Sequence, residues 1–210
     1  MFKTLATNGG MLGAFAVITT ALITLTFIGT EDRIAQQQRA RLLSVLNEVV
    51  PASMYNNKLY ADCTVIDADA LGTEKAHRVY RARTDEAPVA LVLQTTAPNG
   101  YSGNIELVVG VDTSMTVLGV RTLSHQETPG LGDKIELAVS DWIRTFSGKT
   151  FDQDQQEAWQ VKKDGGQFDQ FTGATITPRA VVGAVRRTLD YVVDNQTALF
   201  AQPANCSVSQ

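Results

Sequence analysis

Thiol and imidazole side chains are scarce in this chain. Its 210 residues include two cysteines, Cys63 and Cys206, and two histidines, His77 and His125. There is no Cys-x-x-Cys pair and no Cys/His cluster, so a structural zinc site, a haem attachment motif and an iron–sulfur cluster all lack ligands. No metal site is therefore predicted. The two cysteines are compatible with a disulfide in an oxidising compartment and equally with two unpaired thiols.

Concentrated positive charge is also missing. The chain has 18 Lys and Arg against 22 Asp and Glu, a formal net charge of −4, and no run of basic residues. Nucleic acid is therefore not an expected partner. The length is enough for one globular domain plus an accessory segment, and too short for two large domains.

The amino terminus contains a long uncharged segment, GGMLGAFAVITTALITLTFIGT, from Gly9 to Thr30. In a helix that rises about 1.5 Å per residue, this segment spans the roughly 30 Å hydrocarbon core of a bilayer. A cleaved signal peptide is the alternative, because Lys3 supplies a short positive region before it. The length of the apolar run and the lack of a small-x-small cleavage site before Glu31 favour a retained single-pass anchor in the lipid bilayer, over residues 1–30. The basic residues on its two sides do not decide its orientation.

A single α+β domain is predicted after the anchor. Residues 31–51 have the apolar spacing of a connecting helix that stops at Pro51, and the domain is expected over residues 52–210. Five runs punctuated by Gly, Pro, Asn and Asp predict a mostly antiparallel sheet: Leu59–Ile66, His77–Arg83, Val89–Thr95, Asn104–Asp112 and Thr116–Thr122. Packed helices are predicted over Lys134–Phe146 and Pro178–Leu199, with a β-like run, AWQVKK, between them.

Hydroxyl side chains gather in the stretch DQFTGATITP, residues 169–178, directly before the last predicted helix. Thr177 suits the cap of that helix and Pro178 its first residue. The unpaired N–H groups and the dipole of a helix start favour a bound phosphate, and Gly173 would let such a group approach the backbone. The alternative is that the three threonines of this stretch only cap and cross-bond a turn.

The string Asp169-Gln-Phe-Thr172-Gly173-Ala174-Thr175 resembles the flavinylation motif of FMN-binding domains. In that family FMN is joined as a phosphoester to the hydroxyl of the last Thr or Ser of the motif, so the resemblance implies covalent FMN on Thr175. It also implies that a separate flavin transferase attaches the FMN group, since a threonine hydroxyl is a poor nucleophile without activation. The neighbouring positions are then expected to bind or position the cofactor: Asp169, Thr172, Gly173, Ala174 and Thr177. For Asp169, a bond within its own turn is the alternative.

The resemblance extends along nearly the whole chain. After the apolar amino terminus come GYSG at 100–103, SHQETPGLGDKI at 124–135 and DGGQFDQFTGATITPRAVV at 164–182. In this order they are similar to the G subunit of Rnf ion-translocating electron-transport complexes, also called RsxG. A close relative of that family is the C subunit of the sodium-translocating NADH:quinone reductase. The compact length and the proline after TGATIT favour the Rnf family.

The same resemblance implies a set of residues around the isoalloxazine ring of the flavin. They are Glu127, Thr128, Gly130 and Leu131, with Tyr101 and Trp142 as aromatic contacts. A simple turn is the alternative for Gly130, and core packing is the alternative for both aromatic residues. His125 has no acid or nucleophile at a telling spacing, so a Ser-His-Asp hydrolase is not predicted and no catalytic residue is expected.

A tethered flavin implies an electron carrier that does not catalyse a reaction alone. The resemblance implies a subunit of an oxidoreductase complex, with membrane and soluble partner subunits, that couples electron flow between NADH and ferredoxin to sodium or proton translocation. It implies a bacterial inner membrane, with the domain on the periplasmic side. The alternatives are a covalent-FMN subunit of the quinone reductase or another membrane reductase, and a membrane-anchored binding or structural domain without flavin.

Overall fold

The computed structural model describes residues 2–206, which belong to two compact units, one ending at Arg41 and the other beginning at Leu42. The first unit is the amino-terminal part of α1, Phe2–Val49. Its segment Asn8–Phe27 has a mean hydropathy of 1.9 and is long and apolar enough to cross a membrane. A signal sequence satisfies the same test, so the finding confirms the apolar helix and leaves its retention as a prediction.

Hydroxyl groups within this apolar segment bond back to the helix itself. Thr19 donates to the carbonyl of Phe15 at 2.9 Å, and Thr26 donates to the carbonyl of Leu22 at 2.8 Å. A polar group that has its partner inside the same helix does not need water. The threonines therefore do not oppose placement of this segment in hydrocarbon.

The second unit contains a five-stranded antiparallel sheet whose strands follow one another in chain order. The strands are β1 (Cys63–Ile66), β2 (His77–Thr84), β3 (Ala87–Gly100), β4 (Gly103–Asp112) and β5 (Val117–Ser124). All five predicted strands are confirmed. β1 begins later than predicted because the preceding residues close a turn, in which the N–H of Asp62 donates to the carbonyl of Lys58 at 3.0 Å.

Side chains of the sheet alternate between two apolar cores. On β3, Leu91 and Leu93 pack in one core, while Ala90 and Val92 pack in the other. The first core is covered by α2, Ile176–Ala201, through buried residues at helical spacing: Val181, Val185, Leu189 and Val192. The strands have apolar residues on both sides because both faces of the sheet are covered. The apolar side of α2 packs against one of these faces.

The last turn of α1 covers the second face. Val49 and Val50 are buried there. Gly110 of β4 pairs with Gly119 of β5. A Cβ at Gly110 would collide with Cγ1 of Val49, and one at Gly119 would make a tight contact of 3.1 Å with the Cα of Val49. Two facing glycines thus create the space in which the end of α1 packs.

The segment between the sheet and α2 differs from the prediction. In place of one helix over Lys134–Phe146 there are two short 3-10 helices, Gly132–Ile135 and Asp141–Phe146. Ser140 is extended between them, and its hydroxyl accepts the N–H of Trp142 at 3.0 Å. A side chain takes the donor that a continuous helix would use, so the predicted single helix is wrong.

An aromatic cluster fills this irregular segment: Trp142, Phe146, Phe151, Trp159, Phe168 and Phe171. The ring centroids of Phe146 and Phe168 are 4.5 Å apart. The β-like interpretation of AWQVKK is wrong, because Val161 makes only an isolated bridge to Phe168. Its alternating apolar pattern arises from burial of Trp159 and Val161 in the core and not from pairing in the sheet.

The carboxyl end of α2 is fixed by a buried arginine of β2. Arg81 is paired with Asp62, with Nε 2.6 Å from Oδ1, and its Nη1 donates to the carbonyls of Leu199 and Gln202. The last carbonyls of a helix lack intrahelical donors and carry the negative end of its dipole. One guanidinium therefore satisfies these carbonyls and attaches the helix end to the sheet.

A disulfide joins the end of the described chain to β1. Cys63 and Cys206 are bonded, with their Cα atoms 5.4 Å apart, which lies within the usual range. Next to it, the side-chain oxygen of Asn205 accepts the N–H of Val65 at 2.7 Å. Of the two alternatives left open by the sequence, the structure has the disulfide.

Replacing both cysteines by serine is expected to destabilise the second unit by about 2–5 kcal/mol, because the bond restricts the unfolded chain. The sequence separation of the two residues is 143, so the closed loop is long. Denaturant unfolding of the full chain in detergent, followed by tryptophan fluorescence, measures the change. Wild-type protein in reducing agent is the control and should match the variant. Equal midpoints for the variant and the oxidised wild type would show that the bond does not stabilise the fold.

Candidate functional site

The loop before α2 is a tight turn. The N–H of Ala174 donates to the carbonyl of Phe171 at 3.2 Å, and Gly173 has a φ of 81°. A positive φ at the third residue of a turn favours glycine, which explains the order Thr172-Gly173. Thr175 follows this turn and precedes the first residue of α2.

The start of α2 corrects the predicted cap. The helix begins at Ile176 with Thr175 at the N-cap position, so Thr177 lies inside the first turn and does not cap it. Pro178 is still tolerated, because the first helical bond is donated by the next residue, Arg179, to the carbonyl of Thr175 at 3.3 Å. The prediction that Thr177 is the cap is therefore wrong.

The three threonines of this stretch have different surroundings. Thr172 is exposed on the turn, and Thr177 is buried with its hydroxyl donating to Oε2 of Glu127. Thr175 is half-buried, lines a cavity, and makes no capping hydrogen bond with its side chain. Among the three, Thr175 combines a place in the cavity wall with a hydroxyl that is not engaged in a helix cap.

The cavity beside Thr175 has a volume of about 290 Å³. Three segments that are distant in sequence form its wall: Tyr101, the pairs Glu127–Thr128 and Leu131–Gly132, and Gly173–Thr177. Its volume is close to the lower limit of about 300 Å³ for small-molecule sites. The structure thus brings most of the predicted cofactor-binding residues to one place.

Four of the predicted residues lie outside the cavity wall: Gly130, Trp142, Asp169 and Thr172. Trp142 is buried under the loop, where its Nε1 donates to the carbonyl of Asp169 at 2.7 Å and its ring centroid lies 5.0 Å from that of Phe171. The carboxylate of Asp169 is exposed and pairs with Lys162. Trp142 therefore supports the motif loop from the core side.

Gly130 shapes the loop that carries Leu131. It has a φ of 78°, and the N–H of Leu131 donates to the carbonyl of Thr128 at 3.1 Å, which closes a turn. The side chain of Leu131 remains 43% exposed and reaches within 3.8 Å of the Cβ position of Gly173. The two glycine-containing turns therefore meet at the cavity through Leu131.

Glu127 connects the three segments of the wall. Its side chain is 5% exposed; Oε1 accepts the N–H of Ser102 at 2.9 Å, and Oε2 accepts the hydroxyl of Thr177. A Cβ at Gly100 would lie 2.9 Å from Oε1, and one at Gly132 would lie 2.8 Å from Oε2. Both glycines are thus required for this close approach. Glu127 was predicted as a contact of the flavin ring. In the structure both of its carboxylate oxygens accept hydrogen bonds from other segments of the chain.

His125 positions Glu127, a role that the sequence did not indicate. Its Nδ1 accepts the N–H of Glu127 at 3.0 Å, and its Nε2 lies 2.6 Å from Oε1 of Glu136. Because Nδ1 is an acceptor, the proton is assigned to Nε2, which donates to Glu136. The spacing His-x-Glu is the only local signal. The role of Ser102, which also binds Glu127, could not be predicted from the sequence, because Ser102 contributes only its backbone N–H.

An ion pair fixes the first turn of α2 to the preceding loop. Arg179 Nε lies 2.6 Å from Oδ2 of Asp164, and Nη2 lies 2.9 Å from Oδ1. The hydrogen bonds from Arg179 lower the pKa of the Asp164 carboxyl, and the same bonds raise the pKa of Arg179. The planar, two-bond geometry restrains the loop that leads into the motif.

Comparison with known families agrees with this geometry. The FMN-binding domain family matches residues 100–190, a span that includes all three segments of the cavity wall. The family described as the RnfG N-terminal region matches residues 1–49, which include the apolar helix. The fold and the site thus define an FMN-binding domain that follows an amino-terminal apolar helix.

Sequence identity to individual relatives defines the family of this chain more closely. The chain is 50% identical over 206 residues to the G subunit of the ion-translocating oxidoreductase complex of Vibrio atlanticus, covering 98% of this chain and 99% of the relative. The G subunit of Vibrio cholerae serotype O1 is 49% identical over 206 residues, with the same coverage. The G subunit of Shewanella amazonensis is 51% identical over 207 residues, covering 98% and 96%. The chain belongs to the family of G subunits of the ion-translocating oxidoreductase, or Rnf, complex.

Substitution of Glu127 tests the role of its carboxylate. Glu127→Ala is expected to destabilise the second unit by about 2–4 kcal/mol, because the Ser102 N–H and the Thr177 hydroxyl both lose their acceptor. Glu127→Gln keeps an acceptor for Ser102 and a polar partner for Thr177, so it should cost less than about 1 kcal/mol. Denaturant midpoints of the full chain in detergent measure both values. Equal losses for the two variants would contradict this role.

Proposed function

We propose that the chain carries FMN covalently on Thr175 and serves as an electron-carrying subunit of its complex. The observation that carries the proposal is the position of Thr175: its hydroxyl is not engaged in a helix cap, and it stands in the wall of a cavity within the FMN-binding domain. Membership in the G-subunit family supports the redox role, because these relatives are named as subunits of an oxidoreductase complex.

The surroundings of Thr175 suit a phosphoester. The free N–H groups of the first turn of α2 and the positive end of its dipole stabilise a phosphate group at this position. The Cβ position of Gly173 meets only Leu131, at 3.8 Å, so the turn leaves its backbone accessible. A negatively charged phosphodiester is therefore accommodated without a dedicated basic side chain in the wall.

The cavity wall suits a flat aromatic ring system. Tyr101, Leu131 and Ile176 are 67%, 43% and 45% exposed, and together they give the cavity an apolar rim. Apolar side chains with a few polar groups are the usual lining of a cofactor site. FMN, when bound, supplies one- or two-electron redox chemistry. The residues of the chain hold the ring at the surface, where a partner can approach it.

The proposal includes a cellular placement for the anchor and the domain. We propose residues 1–30 as a membrane anchor, residues 31–51 as a connecting helix and residues 52–210 as the FMN-binding domain, on the periplasmic side of a bacterial inner membrane. The Cys63–Cys206 disulfide supports this side, because such bonds persist in oxidising compartments. Partner subunits then couple electron flow between NADH and ferredoxin to sodium or proton translocation. Family membership favours this role over that of the related quinone reductase subunit.

Thr175→Ala is expected to abolish covalent FMN, whereas Thr172→Ala should only weaken its loading, because Thr172 lies outside the cavity wall. Thr177→Ala is also expected to keep covalent FMN at a reduced level, since it breaks the bond to Glu127 without removing the acceptor hydroxyl. Intact-protein mass spectrometry distinguishes the three variants. Retention of the FMN mass by Thr175→Ala would show that another residue is the attachment site.

Attachment is expected to require a flavin transferase, because the described residues provide no base hydrogen-bonded to the Thr175 hydroxyl. Expression in a host without the transferase should give folded, colourless protein, and co-expression of the enzyme should restore the flavin fluorescence of the denatured band. Yellow protein from the first host would mean that the chain attaches FMN itself. Colourless protein from both hosts would favour a membrane-anchored domain without flavin.

A further inference from the structure

A second cavity adjoins the first along α2. It has a volume of about 270 Å³ and is lined by Pro98 and Asn99 of β3 and by Ile176, Arg179, Ala180, Gly183 and Arg187 of α2. We call it the α2 groove. Ile176 lines both cavities, so the groove begins next to the proposed flavin site. Small residues on α2 leave its floor open.

Arg187 has an uncompensated charge in this groove. Its Nη2 is buried and has no hydrogen-bond acceptor among the groups that the structure describes, and no ion pair between described side chains includes Arg187. Burial lowers the pKa of its guanidinium, and repulsion from Arg186 adds to the effect. A charged donor that is buried without an acceptor destabilises the protein. A carboxylate in the groove would bind the part of the guanidinium that lines it and would so compensate the positive charge, which is delocalised over the whole group.

The charge balance of the groove selects the kind of anion. Arg179 is already neutralised by the two-bond pair with Asp164, so one positive charge, on Arg187, remains. A single guanidinium matches the charge and planar geometry of a carboxylate, with which it forms two parallel bonds. Asn99, which also lines the groove, carries a further amide donor. A monovalent carboxylate therefore fits better than a doubly charged phosphate.

We propose that the α2 groove is a carboxylate-binding site in which Arg187 is the principal ligand. In the assembled complex its occupant is an acidic side chain of a neighbouring subunit, since the chain is a subunit and the groove adjoins the rim of the flavin cavity. A subunit docked through Arg187 would lie beside the rim of the proposed flavin cavity, where it could exchange electrons with the flavin. The site itself uses no part of the flavin, so it goes beyond the proposed function.

Acetate is the probe for the site. Thermal unfolding of the full chain in detergent is measured with increasing acetate, at constant ionic strength balanced with chloride. We expect the Tm to rise by about 3–6 °C at an acetate concentration ten times the Kd. Arg187→Gln should abolish the rise, and Gly183→Leu should abolish it by filling the groove. Arg186→Gln, which removes the same charge from the adjacent residue, is the matched control and should keep the rise.

The same titration on Thr175→Ala protein separates the two proposals, because the acetate effect should persist whether or not flavin is attached. The absence of a Tm rise in the wild type, or an equal rise in Arg187→Gln, would overturn the carboxylate site. Co-purification of the complex then identifies the source of the carboxylate. Loss of partner subunits with Arg187→Gln but not with Arg186→Gln supports an acidic side chain of a partner, and full retention with both assigns the site to a free small carboxylate.

Discussion

The buried carboxylate of Glu127 is the constraint on which the candidate site depends. It accepts the N–H of Ser102 in the β3–β4 turn and the hydroxyl of Thr177 in the first turn of α2. Nδ1 of His125 accepts the backbone N–H of Glu127. The two carboxylate bonds link segments 25 and 50 residues away along the chain. Because a buried charge is costly unless its oxygens are bonded, the three segments have to meet at Glu127, and the cavity lies where they meet.

The position of Thr175 follows from how α2 is held at its two ends. At its start, the Glu127–Thr177 bond fixes the first turn; at its end, Arg81 binds the last carbonyls and the Cys63–Cys206 disulfide attaches the following residues to β1. The helix between them covers one face of the sheet. A side chain at the N-cap position of a helix fixed in this way has a defined place, which is what attachment of a cofactor at one hydroxyl requires.

The parts of the fold that depend on local pattern could be predicted from the sequence, and the parts that depend on distant contacts could not. The five strands have turn residues between them and the apolar helix has a simple composition. The 3-10 helices around Ser140 arise from packing of an aromatic cluster, which has no periodic signal. The start of α2 was misplaced because Pro178 is acceptable at several positions of a first turn. The pairing of Gly110 with Gly119 became evident only from the sheet register.

The candidate site was predicted by family resemblance, and the structure adds a physical reason for one threonine among three. The most direct test of this central claim is fragmentation of the tryptic peptide from Asp164 to Arg179, which lies between cleavage sites after Lys163 and Arg179 and contains all three. In native protein from a host that has the flavin transferase, the mass of one FMN group should map to Thr175. Its location on either of the other two threonines, or an unmodified peptide, would contradict the account.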